Sequence, residues 1–321
     1  MEFLKSYASF LEEKLENYSF PNYPENLYQP LSYFLTLGGK RLRPIACLLG
    51  AKLFGAITEK ALPAALAVEL FHNFTLIHDD IMDQAPLRRG MKTVHEKWNA
   101  NIAILSGDVL FVKAYQLLES YDAEHLKSLL TLFNKTAKEV CEGQQMDMDF
   151  ENRKHVSEAE YIQMIRLKTS VLLGCALEMG AIVANASKEN RSNLYEFGVN
   201  LGIAFQIQDD ILDLLGVPEK VGKQVGGDVI ANKKTLLTIE TKLLANQEQL
   251  NELKKLEAEQ NLDVKVNRTK EIVLAVQADK KCKEHMQHYY EKAIISLEKI
   301  NCNSAKDELF QLSHFLIERD Y

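Results

Sequence analysis

The sequence is poor in residues that interrupt helices, and it lacks the signatures of several protein classes. Proline and glycine number only 7 and 15 among 321 residues, and strand-type alternation of apolar and polar residues is scarce. The 5 cysteines are odd in number and form no CxxC pair, so neither a disulfide framework nor a cysteine metal motif is indicated. We therefore expect an all-α chain in a reducing compartment, the cytoplasm.

An excess of basic residues is also missing. The formal net charge is −7, which argues against nucleic-acid binding. The amino terminus has no basic region followed by an apolar core, so no signal peptide is expected. The longest apolar run, 170–184, is interrupted by Glu178 and is shorter than a membrane span. We expect it to be a buried core helix, with no stable membrane insertion.

The remaining pattern is helical and continuous. Apart from a duplicated acidic motif, we find no internal repeat, and no linker or composition break divides the chain, so we predict one domain over 1–321. Cys47, Cys141 and Cys175 lie in helical patterns and are expected to be buried. Apolar residues recur with helical spacing over about 2–17, 25–37, 44–53, 59–82, 98–118, 123–150, 158–184 and 190–215, and shorter helices follow from about 234 onward.

The first acidic motif ends the helix predicted for 59–82. Asp79 and Asp83 are four positions apart, so their carboxylates share one helix face and repel each other. Paired oxygen ligands of this kind suit Mg²⁺, which also takes phosphate oxygens. Arg88 and Arg89 follow at once and are donors of the type that grips phosphate. The alternative is a solvated acidic helix end.

The second acidic motif repeats this arrangement. Asp209 and Asp213 have the same spacing after another apolar helix, with Asp210 between them as Asp80 lies between the first pair. Two such helix ends facing one cavity would hold several Mg²⁺ ions and a diphosphate. Because both motifs carry phosphate-type cations downstream, we interpret them as functional.

Other polar residues in apolar surroundings are ambiguous from the pattern alone. Lys40 and Arg43 flank the start of a helix after a glycine pair, which suits either an anion site or a solvated basic turn. Lys168 lies within the apolar helix predicted for 158–184, where either an anionic ligand or snorkelling would satisfy it. His72 interrupts an apolar face, and the pattern alone favours a satisfied core histidine.

Taken together, the blocks resemble the polyprenyl synthetase family, which includes the trans-isoprenyl diphosphate synthases. The matching blocks are GGKRLRP, HDDIMD with LRRG, GQQMD, LKTS, FQIQDDILD, and GKQVGGD with NKKT. They extend from Gly38 to Lys234 in the family's order, and the helical pattern extends the resemblance over nearly the whole chain. Asn99 and Asn232 depart from it, because many relatives have glycine at those positions.

The resemblance implies a single-domain bundle of long helices around a deep central cavity, usually as a homodimer. It implies condensation of isopentenyl diphosphate with an allylic diphosphate, with three Mg²⁺ ions per active site. The implied metal ligands are Asp79, Asp83 and Asp209, supported by Asp80, Asp210 and Asp213. The allylic diphosphate would be held by Arg88, Lys168 and Lys223, with Lys233 nearby. Isopentenyl diphosphate would be bound by Lys40, Arg43, His72 and Arg89. Thr169 and Gln206 would face the reacting carbons.

Product length is predicted from Phe74. This residue lies about 7–8 Å along the helix from Asp79, where its ring would project into the path of the growing chain. In the resembled family, an aromatic residue here without a two-residue insertion in the acidic motif is typical of geranylgeranyl diphosphate producers. Farnesyl or longer products remain the alternatives, and the structural alternative for Phe74 is core packing.

Three other functions compete with this prediction. A terpene cyclase shares the first acidic motif but would carry a different second one, and would not need the Lys40 and Arg43 site. A non-catalytic partner subunit would typically have lost one acidic motif. A helical scaffold would explain the periodicity but none of the blocks.

Overall fold

The computed structural model describes residues 2–216, 225–302 and 306–318, and secondary structure in these ranges is almost entirely helical. The helices up to the second acidic motif are α1 Glu2–Glu16, α2 Glu25–Leu35, α3 Leu42–Leu53, α4 Thr58–Met82, α5 Val94–Lys97, α6 Ala100–Leu118, α7 Ala123–Glu151, α8 Glu158–Ile165, α9 Val171–Val183 and α10 Lys188–Leu215. A π-helical turn, Arg166–Ser170, joins α8 to α9, and one hairpin pairs β1 Leu87–Arg88 with β2 Met91–Lys92. The all-α prediction is confirmed.

Six further helices follow within the described residues. They are α11 Gly227–Ile230, α12 Leu236–Leu244, α13 Gln247–Leu256, α14 Leu262–Ala275, α15 Ala278–Glu298 and α16 Lys306–Ile317. Up to Leu215 the predicted boundaries agree with the observed ones to within a few residues, except that α5 and the hairpin were not predicted and the single predicted helix 158–184 contains the π-turn. Periodicity does not detect that turn, because one extra residue leaves the apolar pattern nearly intact.

The residues group into two compact units that alternate along the chain, so the predicted single domain over 1–321 stays a prediction. The first unit comprises 1–133, 176–191 and 302–305, and the second comprises 134–175, 192–301 and 306–321. Within the first unit α4 packs against α3 and α6. Within the second, α12 packs against α8, α14 and α15.

Two glycines bring α3 and the end of α9 into backbone contact in the first unit. A methyl group on Gly50 would lie 2.3 Å from the carbonyl oxygen of Leu177, and one on Gly180 would lie 2.0 Å from that of Cys47. Any larger side chain would therefore separate the two helices. Buried aliphatic residues surround this crossing, each contributing about 1.5–3 kcal/mol by leaving water.

The cysteine predictions are right for two residues and wrong for one. Cys47 and Cys175 are buried, whereas Cys141 is exposed. The buried stripe of α7 passes through Ala137 and Val140, and the next residue along the helix turns away from that stripe. The predicted core helix 170–184 is confirmed, because nearly every residue of α9 is buried.

Candidate active site

The first acidic motif closes α4. Asp79 is partly buried and Asp83 is exposed, and the N–H of Asp83 donates to the carbonyl oxygen of Asp79 at 2.8 Å. One helical turn separates the two side chains, so both carboxylates lie on the same side of the helix end. They present hard oxygen ligands of the kind that Mg²⁺ prefers.

Asp80 is held by an arginine. It is only 1% exposed, and Arg88 Nε lies 2.8 Å from both of its carboxylate oxygens. Arg88 Nη2 adds a third contact at 2.6 Å. Burial raises the pKa of Asp80, and the hydrogen bonds and charge of Arg88 oppose that rise. Asp80 therefore anchors the guanidinium beside the end of α4.

A tight hairpin presents the two arginines. Leu87 pairs with Lys92 and Arg88 with Met91, which leaves Arg89 and Gly90 as the turn. Their φ angles are 54° and 78°, the left-handed conformation at both turn positions that matches the twist of a hairpin. The LRRG block thus encodes the hairpin, with Arg89 held in a conformation that costs a non-glycine residue about 1–3 kcal/mol.

A cluster of cationic side chains lies at the start of α3 and along α4. Arg43 Nη1 is 3.1 Å from His72 Nε2, so the histidine nitrogen accepts this hydrogen bond. The pKa of His72 is well below its usual value, because of burial and then the charges of Arg43, Arg89, Arg88 and Arg41. His72 is therefore neutral at physiological pH.

The arginines of this cluster differ in their partners. Arg41 pairs with the buried Glu69 at 2.6 Å and donates to the carbonyl oxygen of Leu35 at 3.0 Å. Arg43 and Arg89 have no ion-pair partner within the described residues, and Arg43 Nε is buried there without a hydrogen-bond acceptor. The cluster therefore carries positive charge that an anion would neutralise.

The second acidic motif closes α10 and has different partners. Asp210, 5% exposed, accepts hydrogen bonds from Tyr161 OH and, at 3.2 Å, from Gln206 Nε2. Burial and then Asp228 raise the pKa of Asp210 well above its usual value. Asp213 accepts the backbone N–H of Asp228 at 3.0 Å, while Asp209 is partly buried.

Lys168 and Thr169 lie in the π-turn. Lys168 Nζ forms an ion pair with Asp147 of α7 at 2.6 Å. The partner of this lysine is therefore a protein carboxylate, which differs from both predicted alternatives, an anionic ligand and snorkelling. A methyl group on Gly143 would lie 2.2 Å from the backbone nitrogen of Lys168, and one on Gly202 would lie 2.8 Å from Ser170 Cα. The turn is therefore packed between backbone surfaces of α7 and α10.

Phe74 belongs to a cluster of aromatic rings. Its ring stacks on Phe111 of α6, with centroids 5.0 Å apart and an interplanar angle of 12°, and contacts His78 edge-on at 4.6 Å. Phe71, fully buried, packs against both rings at 5.5 Å. Phe111 was not predicted, and the apolar pattern of α6 contains no signal that would single it out.

A separate polar cluster joins α8, α12 and α15. His285 lies between two carboxylates, with Nδ1 3.3 Å from Glu158 and Nε2 3.6 Å from Glu240. Potential ligand atoms of the three residues lie within 4.8 Å of one another. Burial raises the pKa of Glu240, which the charge of His285 opposes. Contacts among these side chains connect the three helices.

Comparison with known proteins decides the family. The family model for polyprenyl synthetase matches residues 24–276.

The chain belongs to the polyprenyl synthetase family.

A geranylgeranyl pyrophosphate synthase of Geoglobus acetivorans is 38% identical over 322 residues, which cover 100% of this chain and 99% of that protein. A geranylgeranyl diphosphate synthase of Methanosarcina mazei is 44% identical over 238 residues, or 74% of each chain. The crystal structure of a geranylgeranyl pyrophosphate synthase superposes with a TM-score of 0.94 at 44% identity, over 99% of both chains.

The predicted family, the all-α fold and the enzyme class are thereby confirmed. This polyprenyl synthetase is a prenyltransferase of the isoprenyl diphosphate synthase type. Its predicted site residues are brought together in part. The first unit contains the predicted site residues Lys40, Arg43, His72, Phe74, Asp79, Asp80, Asp83, Arg88 and Arg89. The second unit contains Lys168, Thr169, Gln206, Asp209, Asp210, Asp213 and Lys233. Lys223 lies outside the described residues. The individual roles stay predictions.

Three polar residues at the site were missed as participants. Asp147 and Asp228 stand inside the quoted blocks GQQMD and GGD, so their positions were visible but no partner could be assigned. Tyr161 had no signal at all, because a tyrosine on an apolar helix face is ordinary core packing.

The two asparagine departures have local explanations. Asn99 is the N-cap of α6, and its side chain accepts the N–H of Ile102 at 2.9 Å. Asn232 has a φ of 54°, the left-handed region that glycine and asparagine tolerate best.

Among the described residues, α6 is the helix that is long and apolar enough to cross a membrane by composition, with 33% of its apolar window buried. It packs along α4. Ile104, Leu105 and Val112 are 41%, 58% and 55% exposed.

Proposed function

We propose that this polyprenyl synthetase condenses isopentenyl diphosphate head-to-tail with an allylic diphosphate, and that its main product is geranylgeranyl diphosphate. The observation that carries the proposal is the cluster of Arg43, His72 and Arg89. Its two arginines form no ion pair within the described residues, and with the neutral His72 beside Arg43 they suit an anion that is separate from the one at the acidic motif. A second diphosphate, that of isopentenyl diphosphate, meets this requirement.

Three Mg²⁺ ions would be held by Asp79, Asp83 and Asp209. The fit is supported by the donor set, since the carboxylates at the end of α4 lie one turn apart and retain surface exposure. Bound Mg²⁺ would neutralise charge on the departing diphosphate. Asp80, Asp210 and Asp213 each have a protein partner and would support the ligands from behind.

Cationic side chains would hold the allylic diphosphate. Arg88 is anchored by Asp80 and has a further nitrogen, Nη1, for a phosphate oxygen. Lys168 would exchange Asp147 for the diphosphate, which offers more negative charge at the same distance. Lys223 and Lys233 would complete the set.

Preorganised dipoles would stabilise the allylic cation as the diphosphate departs. Thr169 and Gln206 would direct oxygen atoms toward the reacting carbons. The double bond of isopentenyl diphosphate would then form the new carbon–carbon bond, and the released diphosphate would accept the proton lost in restoring a double bond. No histidine or glutamate base is needed.

Phe74 would limit product length. Its stacking on Phe111 and its contact with His78 support a ring that is held in place rather than swinging aside. We therefore favour a product of twenty carbons. The floor, meaning the residue that stops the growing chain, would lie nearer to the aspartates for a farnesyl product and farther from them for a longer one. A terpene cyclase would not need the cationic cluster around Arg43, and a non-catalytic subunit would not keep both acidic motifs.

We also propose a homodimer that works in the cytoplasm. The exposed apolar side chains of α6 support dimerisation, because Ile104, Leu105 and Val112 would be buried by the same face of a second copy. No disulfide joins the cysteines of the described residues, which suits a reducing compartment. Light scattering of Ile104→Glu, which should be monomeric, would test the dimer.

Product analysis tests the reaction. Purified protein with Mg²⁺ and isopentenyl diphosphate would receive dimethylallyl, geranyl or farnesyl diphosphate in turn, and the products would be identified by mass spectrometry. A twenty-carbon end point is expected. Shorter or longer products would retain the chemistry and move the floor, whereas no elongation from any primer would reject the proposal in favour of a cyclase or partner subunit.

A further inference from the structure

Asp210 and Gln206 lie one turn apart on α10 and are joined by a hydrogen bond. Gln206 Nε2 donates to Asp210 Oδ1 at 3.2 Å, and the other carboxylate oxygen, Oδ2, accepts a hydrogen bond from Tyr161 OH. Asp210 is 5% exposed and Tyr161 is 2% exposed. Both oxygens of this aspartate are therefore engaged by protein donors in the interior.

The hydrogen bond from Gln206 determines the direction of its amide. The nitrogen of a primary amide donates and its oxygen accepts, and the two atoms occupy opposite arms of a planar group. Because Nε2 is bound to Asp210, Oε1 lies on the arm directed away from that carboxylate. With Oδ2 engaged by Tyr161, Oδ1 is the acceptor that faces Gln206, and it selects this orientation over the flipped one.

The orientation matters for charge. A carbonyl oxygen directed at developing positive charge stabilises it, whereas an NH₂ group in the same place would oppose it. Asp210 is the residue that distinguishes the two orientations, and Tyr161 keeps Asp210 in place. Tyr161 lies on α8, which runs directly into the π-turn that bears Lys168 and Thr169, so one continuous segment carries this anchor and those side chains.

We propose that Asp210 is a positioning residue: held by Tyr161, it directs the carbonyl oxygen of Gln206 toward the reacting allylic carbons, and it does not ligate Mg²⁺. The inference rests on the proposed function, which supplies the allylic carbons. It assigns the middle aspartate of the second motif to orientation of a dipole rather than to metal binding.

Two variants separate these roles. Asp210→Asn keeps the shape, but its amide can donate as well as accept, so it no longer selects one orientation of the Gln206 amide. We expect kcat to fall by up to about 100-fold, within the range for loss of a preorganised dipole. Tyr161→Phe only loosens the anchor and should lower kcat about tenfold. In both, KM for each diphosphate and the half-saturating Mg²⁺ concentration should stay within about twofold.

Metal binding supplies a readout independent of turnover. Mn²⁺ would be titrated into each protein with inorganic diphosphate and followed by electron paramagnetic resonance. Asp210→Asn should bind Mn²⁺ as the wild type does, and Asp209→Ala should bind less. Tyr289→Phe on α15, a partly buried tyrosine with no hydrogen bond to Asp210, is the matched control and should change neither kcat nor Mn²⁺ binding.

Each outcome is decisive. Weakened Mn²⁺ binding by Asp210→Asn, or a higher Mg²⁺ requirement that restores its kcat, would make Asp210 a metal ligand and overturn the inference. Unchanged kcat in both variants would overturn it while the proposed function stands. If Tyr161→Phe does not fold, Asp210→Asn decides alone. A wild-type protein that elongates no primer would reject the proposed function, and this inference with it.

Discussion

Asp80 and Asp210 are the middle carboxylates of the two acidic motifs, and they are held by opposite kinds of partner. Arg88 surrounds Asp80 with charge-assisted hydrogen bonds of 2.6–2.8 Å, whereas Asp210 receives hydrogen bonds from the neutral Tyr161 and Gln206. Burial raises the pKa of both carboxyl groups, and this rise is opposed by Arg88 at Asp80 and by the hydrogen bonds of Tyr161 and Gln206 at Asp210. The two motifs have the same spacing in sequence, but the middle aspartate of the first holds the side chain of Arg88, whereas that of the second holds the amide of Gln206.

The difference extends along both helices. His72 and Phe74 precede Asp79 at the same distances at which Gly202 and Ala204 precede Asp209. The α4 positions carry an imidazole bound to Arg43 and a ring stacked on Phe111. The α10 positions carry small buried residues. At these two positions, therefore, the polar and aromatic side chains belong to α4 and not to α10.

The largest effect is expected where the motifs are alike. Asp79→Ala should lower turnover at least about 1,000-fold by removing a metal ligand. The fold should lose little stability, because a carboxylate that repels Asp83 is removed. Steady-state kinetics and thermal unfolding would measure the two effects. Asp263→Ala, an exposed carboxylate on α14, is the control, and near wild-type turnover in Asp79→Ala would contradict the metal assignment.

Removing the partner of Asp80 should lower the free energy of unfolding more than removing the partner of Asp210. Arg88→Met leaves Asp80 buried without its cation and should destabilise the protein by about 2–4 kcal/mol, below the fully buried range because Arg88 is 25% exposed. Tyr161→Phe removes one neutral hydrogen bond and should cost about 1–2 kcal/mol. Urea unfolding measures both. Equal losses would show that the two partners play equivalent roles.

Acid should destabilise the protein through His72. Its folded-state pKa is well below 6.5, so the folded state binds fewer protons than the unfolded state. The free energy of unfolding is therefore highest above the pKa that His72 has in the unfolded chain. It declines by up to about 1.4 kcal/mol per pH unit as pH falls below about 6.5. His72→Asn should flatten urea-unfolding free energies between pH 6.5 and 5. The exposed His288→Asn should not, and parallel wild-type and His72→Asn curves would exclude this role.

Product length offers the subtlest test. Phe74→Ala makes this position of α4 the same as the corresponding position of α10, Ala204. It should shift products beyond twenty carbons with a modest change in rate. Mass spectrometry of the products measures the shift. An unchanged product in Phe74→Ala, with a longer one in Phe71→Ala, would place the floor deeper in the aromatic cluster.

Local patterns predicted much of this protein. Helices follow from the spacing of apolar residues, and the glycines of GGKRLRP and LRRG mark turns with positive φ at Gly38, Gly39 and Gly90. The acidic pairs follow from four-residue spacing on a helix. Each of these features depends on residues within one or two turns of each other, so the sequence contains the information directly.

Pairings between distant segments were decided by the tertiary structure. Tyr161 reaches Asp210, Asp147 reaches Lys168, and Phe111 stacks on Phe74 only after separate helices pack together. Cys141 was placed wrongly for the same reason, since burial depends on which face a neighbouring element covers. The sequence by itself determined the kinds of groups at the site. Packing decided which group holds which, because hydrogen bonds and ion pairs depend on distances that chain spacing does not specify.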